Sequence, residues 1–242
     1  MLFIVLFTVA GILLGVLSNA LVQRLARQMF DDANEFAWEQ LGLPTSTGTP
    51  KTLPTAPASK WHKYVLPALG AAVGLTVGAV FGATWQGGAL FAAGFLLLWL
   101  SAVDLKTMYL PETLNYALGG IGILAGALGW FVAPEKALMG ILVGYLILYI
   151  PAIIFHRVRG VAGVGEGDCL LLAAIGAYIG PMAVIPVLLL ASLLIIGRYV
   201  ACGGKRDEPM PFGPALALAG VLTFALIRMP SLQPGMLQMY FQ

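Results

Sequence analysis

Long apolar stretches separated by short polar segments dominate this chain. Eight such stretches can be drawn, each close to the roughly 20 residues that a helix needs to cross a bilayer. They lie at 2–22, 64–85, 88–103, 114–132, 137–155, 168–180, 182–200 and 213–227. The sixth is the shortest. The pattern predicts an all-α, polytopic membrane protein with about eight transmembrane helices.

The composition favours a membrane protein over a soluble one. The 242 residues are 60% hydrophobic and only 10% charged, with a mean hydropathy of +0.91, whereas soluble domains carry about 25% charged residues. Cys169 and Cys202 fit no metal-site spacing, so we interpret both as free thiols. The first apolar stretch has no basic segment before it and no small-residue cleavage site after it, which predicts a retained span.

The distribution of lysine and arginine predicts the orientation in the membrane. If the N-terminus is outside, the cytoplasmic segments hold all 13 of these basic residues except Lys136 and Arg228. Cytoplasmic loops carry an excess of lysine and arginine. We therefore expect the N-terminus outside and an even number of spans.

The longest polar segment divides the chain into three parts. Residues 1–63 hold the first span and a cytoplasmic loop. In that loop, acids interleaved with aromatic residues over 24–43 predict an amphipathic helix at the membrane surface. Thr, Pro, Ser and Gly over 44–59 predict a flexible linker. Residues 64–230 are expected to form the helical membrane core, and residues 231–242 a tail that resembles the remnant of a cleavable tag.

Two aspartates lie at the edges of apolar stretches. Asp104 follows the third and Asp168 begins the sixth, so both are expected at the cytoplasmic side, on helices running in opposite directions. Carboxylates at membrane depth are costly and usually functional. Each also has a plain alternative, because Asp168 could cap its helix and Asp104 could be a solvated residue paired with Lys106. Their shared depth favours a functional pair.

Glycines alternate just before the second aspartate, at Gly163, Gly165 and Gly167. Glycine disfavours helix. The run therefore predicts a loop that brings its backbone close to another group, with a plain glycine-rich turn as the alternative.

Two neighbouring carboxyl groups suit peptide hydrolysis. They cannot both ionise, so they share one proton. The ionised group polarises a water for attack on the peptide carbonyl, and the protonated group stabilises the oxyanion and then protonates the leaving amine. This chemistry needs no metal. The chain has no HExxH or GxSxG motif, and His62 and His156 fit cytoplasmic edges better than a catalytic dyad.

Four motifs, in the family's order, resemble those of the type IV prepilin peptidases. Gly15, Asn19, Arg24 and Leu25 fall on the spacing of GSFLNVVIxRLP. The sequence DLKTMYLPETL at 104–114 resembles the family's first aspartate segment, D followed by LPD. The sequence GEGDCLLLAAIGA at 165–177 resembles GxGDxKLLAAxGA, and MPFGPALA at 210–217 resembles the PFGP run that opens the last span.

The resemblance implies a GxGD-type aspartic protease of the bacterial inner membrane. Asp104 and Asp168 would be the catalytic pair, removing the short basic leader of prepilins or type II secretion pseudopilins at the cytoplasmic face. The substrate would be inserted in the lipid bilayer, and no nucleic acid is expected as a partner. Many members also methylate the new N-terminus with S-adenosylmethionine, an activity to which Asn19 and Arg24 would relate.

Substrate contacts are expected beside the two aspartates, at Gly165, Glu166, Gly167 and Glu112. Glu112 at a helix start is also explained by the helix dipole, and Glu166 by simple solvation. In either case the acids would make the cytoplasmic mouth negative, which attracts a basic leader.

The chain departs from the family pattern at several positions. It has no cysteine over 23–63, where many members carry two CxxC pairs, so no metal is predicted and methylation stays open. Leu170 replaces the usual lysine, Glu112 the LPD aspartate and Ala26 the RLP proline.

Two other functions remain possible on the residues alone. Asp104 and Asp168 could bind a cation or relay protons in an ion-coupled transporter. An assembly factor with inert acids is a further reading.

Overall fold

The computed structural model describes residues 1–40, 62–160, 165–202 and 210–228. Over these ranges the chain forms eight α-helices and no strand, which confirms the all-α prediction. The predicted linker at 44–59, Gly163 of the glycine run and the tail at 231–242 lie outside the described residues. The chain divides into two compact units, unit 1 (Met1–Ala83) and unit 2 (Thr84–Gln242).

Unit 1 is an antiparallel pair of helices, α1 (Leu2–Gln40) and α2 (His62–Phe81). Their backbones touch at glycines, since Gly11 packs on the Gly70 carbonyl and Gly74 on the Phe7 carbonyl. Small residues of this kind let helices approach closely in lipid. Helix α1 runs without a break past the predicted end of the first span, and the surface location of its second half stays a prediction.

Unit 2 holds the other six helices of the described chain. They are α3 (Trp85–Thr107), α4 (Glu112–Ala127), α5 (Pro134–Arg159), α6 (Glu166–Ile179), α7 (Pro181–Cys202) and α8 (Gly213–Arg228).

Local sequence sets several of these boundaries. Thr84 caps α3, because its Oγ1 accepts the Gly87 N–H at 3.0 Å. Pro134 opens α5, where its missing N–H costs nothing. Gly160 ends α5 in the left-handed conformation.

Five helices in the described part are long and apolar enough to cross a membrane: α1, α2, α3, α5 and α7. This finding confirms a polytopic helical membrane protein. Helices α4, α6 and α8 have 16, 14 and 16 residues and are shorter than a typical span. The orientation with the N-terminus outside stays a prediction.

Helix α6 forms the centre of unit 2. It packs against α4, α5, α7 and α8, and every residue from Leu171 to Ile179 is buried. Close approach to α5 is possible because Gly140 and Gly176 lie backbone to backbone, and a Cβ at Gly144 would lie only 2.6 Å from the Leu172 carbonyl oxygen. The shortest of the predicted apolar stretches is therefore the core of the bundle.

We expect Gly140→Ala to lower the free energy of unfolding by about 1–3 kcal/mol, because its Cβ would press on the Gly176 backbone. Gly120→Ala in α4 is the matched control, since a Cβ there meets no atom of the described residues within 4 Å. Thermal unfolding of both variants in one detergent measures the difference. Equal stability of the two variants would contradict the packing described for α5 and α6.

Candidate active site

Asp104 is a buried carboxyl one turn before the end of α3. Its side chain is only 3% exposed, and its Oδ2 accepts the Gly213 N–H at 2.9 Å. Gly213 is the first residue of α8, where backbone N–H groups have no partner within the helix and favour an anion. The alternative explanation, in which Asp104 is a solvated residue at the helix end, is therefore wrong. The neighbouring Lys106 side chain is exposed.

The turn after Asp104 carries backbone strain. Met108 has φ of 55° and donates its N–H to the Asp104 carbonyl at 2.8 Å, which ends α3. A residue other than glycine rarely adopts this left-handed conformation, and such residues cluster at functional sites. The turn sends the chain back through Leu110 and Pro111 into α4.

Asp168 lies in the first turn of α6. The N-cap is Gly165, so the alternative in which Asp168 caps the helix is wrong. Asp168 donates its own N–H to the Gly165 carbonyl at 3.1 Å. Its Oδ1 is buried and has no hydrogen-bond partner among the described residues. The side chain is thus available for a group that enters from outside the helix.

The two aspartates line one cavity of about 160 Å³. They reach it from the C-terminal end of α3 and the N-terminal end of α6. The cavity is lined by Asp104, Met108, Tyr109, Leu110, Glu112, Gly165, Glu166, Gly167 and Asp168.

A comparison with known proteins gives the family. Residues 90–200 match the model of the type IV leader peptidase family. A prepilin leader peptidase/N-methyltransferase of Pseudomonas aeruginosa is 32% identical over 257 aligned positions, which cover 90% of this chain and 88% of the relative. The chain belongs to the type IV leader peptidase family.

Other relatives with the same name match over shorter segments. A protein of Xanthomonas campestris is 37% identical over 149 residues, which cover 60% of this chain and 52% of the relative. One from Aeromonas hydrophila is 40% identical over 138 residues, 53% of this chain and 47% of the relative. The chain thus spans about half the length of these two curated relatives. No solved structure matches it.

In this family member, Leu110 packs against Gly167, which precedes Asp168, and against Gly213, which bonds to Asp104. Leu110 is 5% exposed. A Cβ at Gly167 would lie 2.7 Å from the Leu110 Cβ, and a Cβ at Gly213 would lie 3.2 Å from its Cδ2. Leu110 therefore leaves no room for a side chain at Gly167, whereas at Gly213 the nearest obstacle is the Asp104 Oδ2, 2.9 Å from a Cβ.

The two glutamates expected near the substrate are exposed at the rim of the cavity. Glu112 is the first residue of α4, as the dipole explanation predicts, and its Oε2 accepts the Tyr116 hydroxyl at 3.3 Å. Glu166 is the first residue of α6 and faces solvent. Both side chains add negative charge beside the two aspartates.

Asn19 and Arg24 lie on α1 in unit 1, with Asn19 half-buried and Arg24 exposed. Neither residue lines the cavity that contains Asp104 and Asp168. In the described part of the chain, no group of three or more His, Cys, Asp or Glu side chains is arranged to hold a metal ion.

Two contacts of the site could not be assigned from the sequence. The PFGP run is recognisable as a motif, but its bond from Gly213 to Asp104 depends on tertiary structure. The other is Asn115, whose Nδ2 donates to the Gly167 carbonyl at 3.1 Å. A polar side chain within the apolar run of α4 was the signal available in the sequence.

We expect Gly167→Ala to lower the free energy of unfolding by about 1–3 kcal/mol, because the new Cβ would overlap Leu110. Gly165→Ser is the control within the same motif. Among the described residues, a Cβ at Gly165 would meet only the Asp168 Oδ2, at 3.5 Å, and serine is a good N-cap. Thermal unfolding in detergent checks both, and an unfolding temperature for Gly167→Ala at or above that of Gly165→Ser would refute the close contact.

Proposed function

We propose that this chain is a prepilin leader peptidase of the bacterial inner membrane, with Asp104 and Asp168 as its catalytic pair. The observation that carries the proposal is that both aspartates line one cavity in a member of the type IV leader peptidase family. The proposed substrate is a prepilin or type II secretion pseudopilin inserted in the bilayer and cut at the cytoplasmic face.

The hydrogen bonds of the two carboxyl groups suggest different roles. The Asp104 Oδ2 accepts a backbone N–H at a helix N-terminus, which is the environment of a charged oxygen. We assign Asp104 as the carboxylate that takes a proton from the attacking water. The Asp168 Oδ1 has no partner among the described residues, so we assign the Asp168 carboxyl as the group that carries the shared proton.

These roles give a balanced hydrolysis. Asp104 removes a proton from the water as the water oxygen attacks the peptide carbon. The protonated Asp168 carboxyl donates a hydrogen bond to the carbonyl oxygen. A proton then passes to the amine nitrogen, the C–N bond breaks, and the pair retains one proton for the next turnover. The cavity has room for a peptide group with its water.

The negative charge at the rim of the cavity fits the basic leader that the resemblance to prepilin peptidases implies. Glu112 and Glu166 are exposed beside the cavity and raise its negative charge. A cleft lined by one sign of charge concentrates ligands of the opposite sign. We propose that the basic leader is drawn to this rim and that its cleavage site enters between Asp104 and Asp168.

Methylation of the new N-terminus is a second activity named in the relatives. Asn19 and Arg24, the residues that the resemblance relates to this activity, do not line the cavity with Asp104 and Asp168, so we derive no step through S-adenosylmethionine. The ion-coupled transporter gains no support from the family match.

Asp104→Asn and Asp168→Asn should each lower leader cleavage at least about 100-fold, because an amide can neither take up nor deliver the shared proton. The measurement is the mass of a purified prepilin after incubation with each variant, with and without S-adenosylmethionine. An added methyl group on the shortened product would report the second activity. Wild-type cleavage rates in either variant, at unchanged unfolding temperature, would disprove the assignment.

Gly213→Ala should lower the cleavage rate at least about 10-fold, because the rate of a reaction falls steeply when a catalytic group is displaced. Its Cβ would lie 2.9 Å from the Asp104 Oδ2, so the carboxyl group or α8 must move. Gly120→Ala is the matched glycine control and should cleave at the wild-type rate. The same mass assay applies, and equal rates for the two variants would show that Gly213 does not hold Asp104.

A further inference from the structure

Asn115 is a buried amide that the proposed reaction does not use. Its side chain is 2% exposed, on an otherwise apolar face of α4. The Nδ2 donates to the Gly167 carbonyl at 3.1 Å, across 52 residues of sequence. The Oδ1 is also buried and has no hydrogen-bond partner among the described residues. A buried acceptor without a partner costs stability, so folding alone is a poor reason for an amide here.

The bond reaches the backbone immediately before Asp168. Gly167 lies in the first turn of α6, and Leu110 packs on the same glycine. Asn115 donates its backbone N–H to the Pro111 carbonyl at 3.3 Å, so it lies one turn from the segment that carries Leu110. Asn115 and Leu110 together connect the turn after Asp104 with the first turn of α6.

We propose that Asn115 is a positioning residue whose bond to the Gly167 carbonyl sets the separation of the Asp104 and Asp168 carboxyl groups. Two carboxyls share a proton only at short range, and a misplacement of about 1 Å at a reacting centre costs about 100-fold in rate. The expected loss of cleavage rate rests on the peptidase function proposed above, whereas the expected change in the separation of the two carboxyl groups does not.

Tyr178 provides a matched control on the same two helices. Its hydroxyl donates to the Leu118 carbonyl at 3.0 Å, and the pair is buried. It therefore joins α6 to α4 by the same kind of bond as Asn115. Tyr178 lies ten positions beyond Asp168 along α6 and does not line the cavity.

The kinetic experiment compares Asn115→Ala with Tyr178→Phe in the full chain in detergent, with a purified prepilin as substrate. We expect Asn115→Ala to lower kcat about 10- to 100-fold with KM within about twofold, since Asn115 does not line the cavity. Tyr178→Phe should keep kcat within about twofold. Asn115→Leu removes both polar atoms but fills the space, and it should lower kcat as Asn115→Ala does. It controls for a loss of activity caused only by the cavity that alanine leaves.

The geometric experiment needs no catalysis. Asp104→Cys and Asp168→Cys are combined in a chain that also carries Cys169→Ala and Cys202→Ala. The yield of the 104–168 cross-link with a short bis-thiosulfonate is then measured. Adding Asn115→Ala should lower that yield at least about threefold, because Asn115 bonds to the residue before Asp168. Adding Tyr178→Phe should leave the yield unchanged, because Tyr178 bonds to Leu118 instead.

The outcomes separate the two proposals. A lower cross-link yield for Asn115→Ala supports the positioning role, even if the wild-type chain fails to cleave prepilin and the peptidase proposal falls. If the wild-type chain cleaves prepilin, while Asn115→Ala and Asn115→Leu keep both kcat and the cross-link yield, the positioning role is overturned.

Discussion

Direct contact between helix backbones is the constraint on which unit 2 depends. Helix α6 has 14 residues and carries Asp168, yet it lies inside the bundle. It fits there because Gly140 and Gly144 of α5 and Gly176 of α6 place no side chain between the helices. Lipid offers no hydrophobic drive for helices to associate, so close packing has to hold them. The same packing fixes the height of the first turn of α6 relative to its neighbours.

The site at the end of this bundle is organised largely by backbone groups. The Gly213 N–H donates a hydrogen bond to Asp104, and the Gly167 carbonyl accepts one from Asn115. Leu110 packs on both glycines. Burying a carboxyl group is costly unless a donor compensates, and a charge-assisted bond at a helix N-terminus is one of the stronger compensations. The bond from Gly213 thus stabilises the buried Asp104 carboxyl group at the edge of an apolar bundle.

Helix α8 delivers its N-terminus to Asp104 because it is held at both ends. At the far end, the Arg228 guanidinium donates to the Phe131 carbonyl and lies over the Phe131 and Phe224 rings, 5.6 and 5.7 Å from their centroids. At the near end, the strained turn at Met108 brings Leu110 against Gly213. A site built from three separate helix ends needs such fixation, because each end alone would fray.

The sequence by itself determined the helical membrane class and the family, because apolar run length and motif spacing are local properties. It also singled out Asp104 and Asp168, which line one cavity. It predicted a loop for the glycine run before Asp168, and this is wrong for Gly167, which lies in the first turn of α6. It placed the helix start two residues late and offered Asp168 as a cap, because local rules do not show that Gly165 occupies that position. Only the tertiary structure decided that Gly213 bonds to Asp104 and Asn115 to Gly167, at separations of 109 and 52 residues. Such partners are chosen by the packing of whole helices, and no local pattern along the chain records which backbone groups that packing brings together.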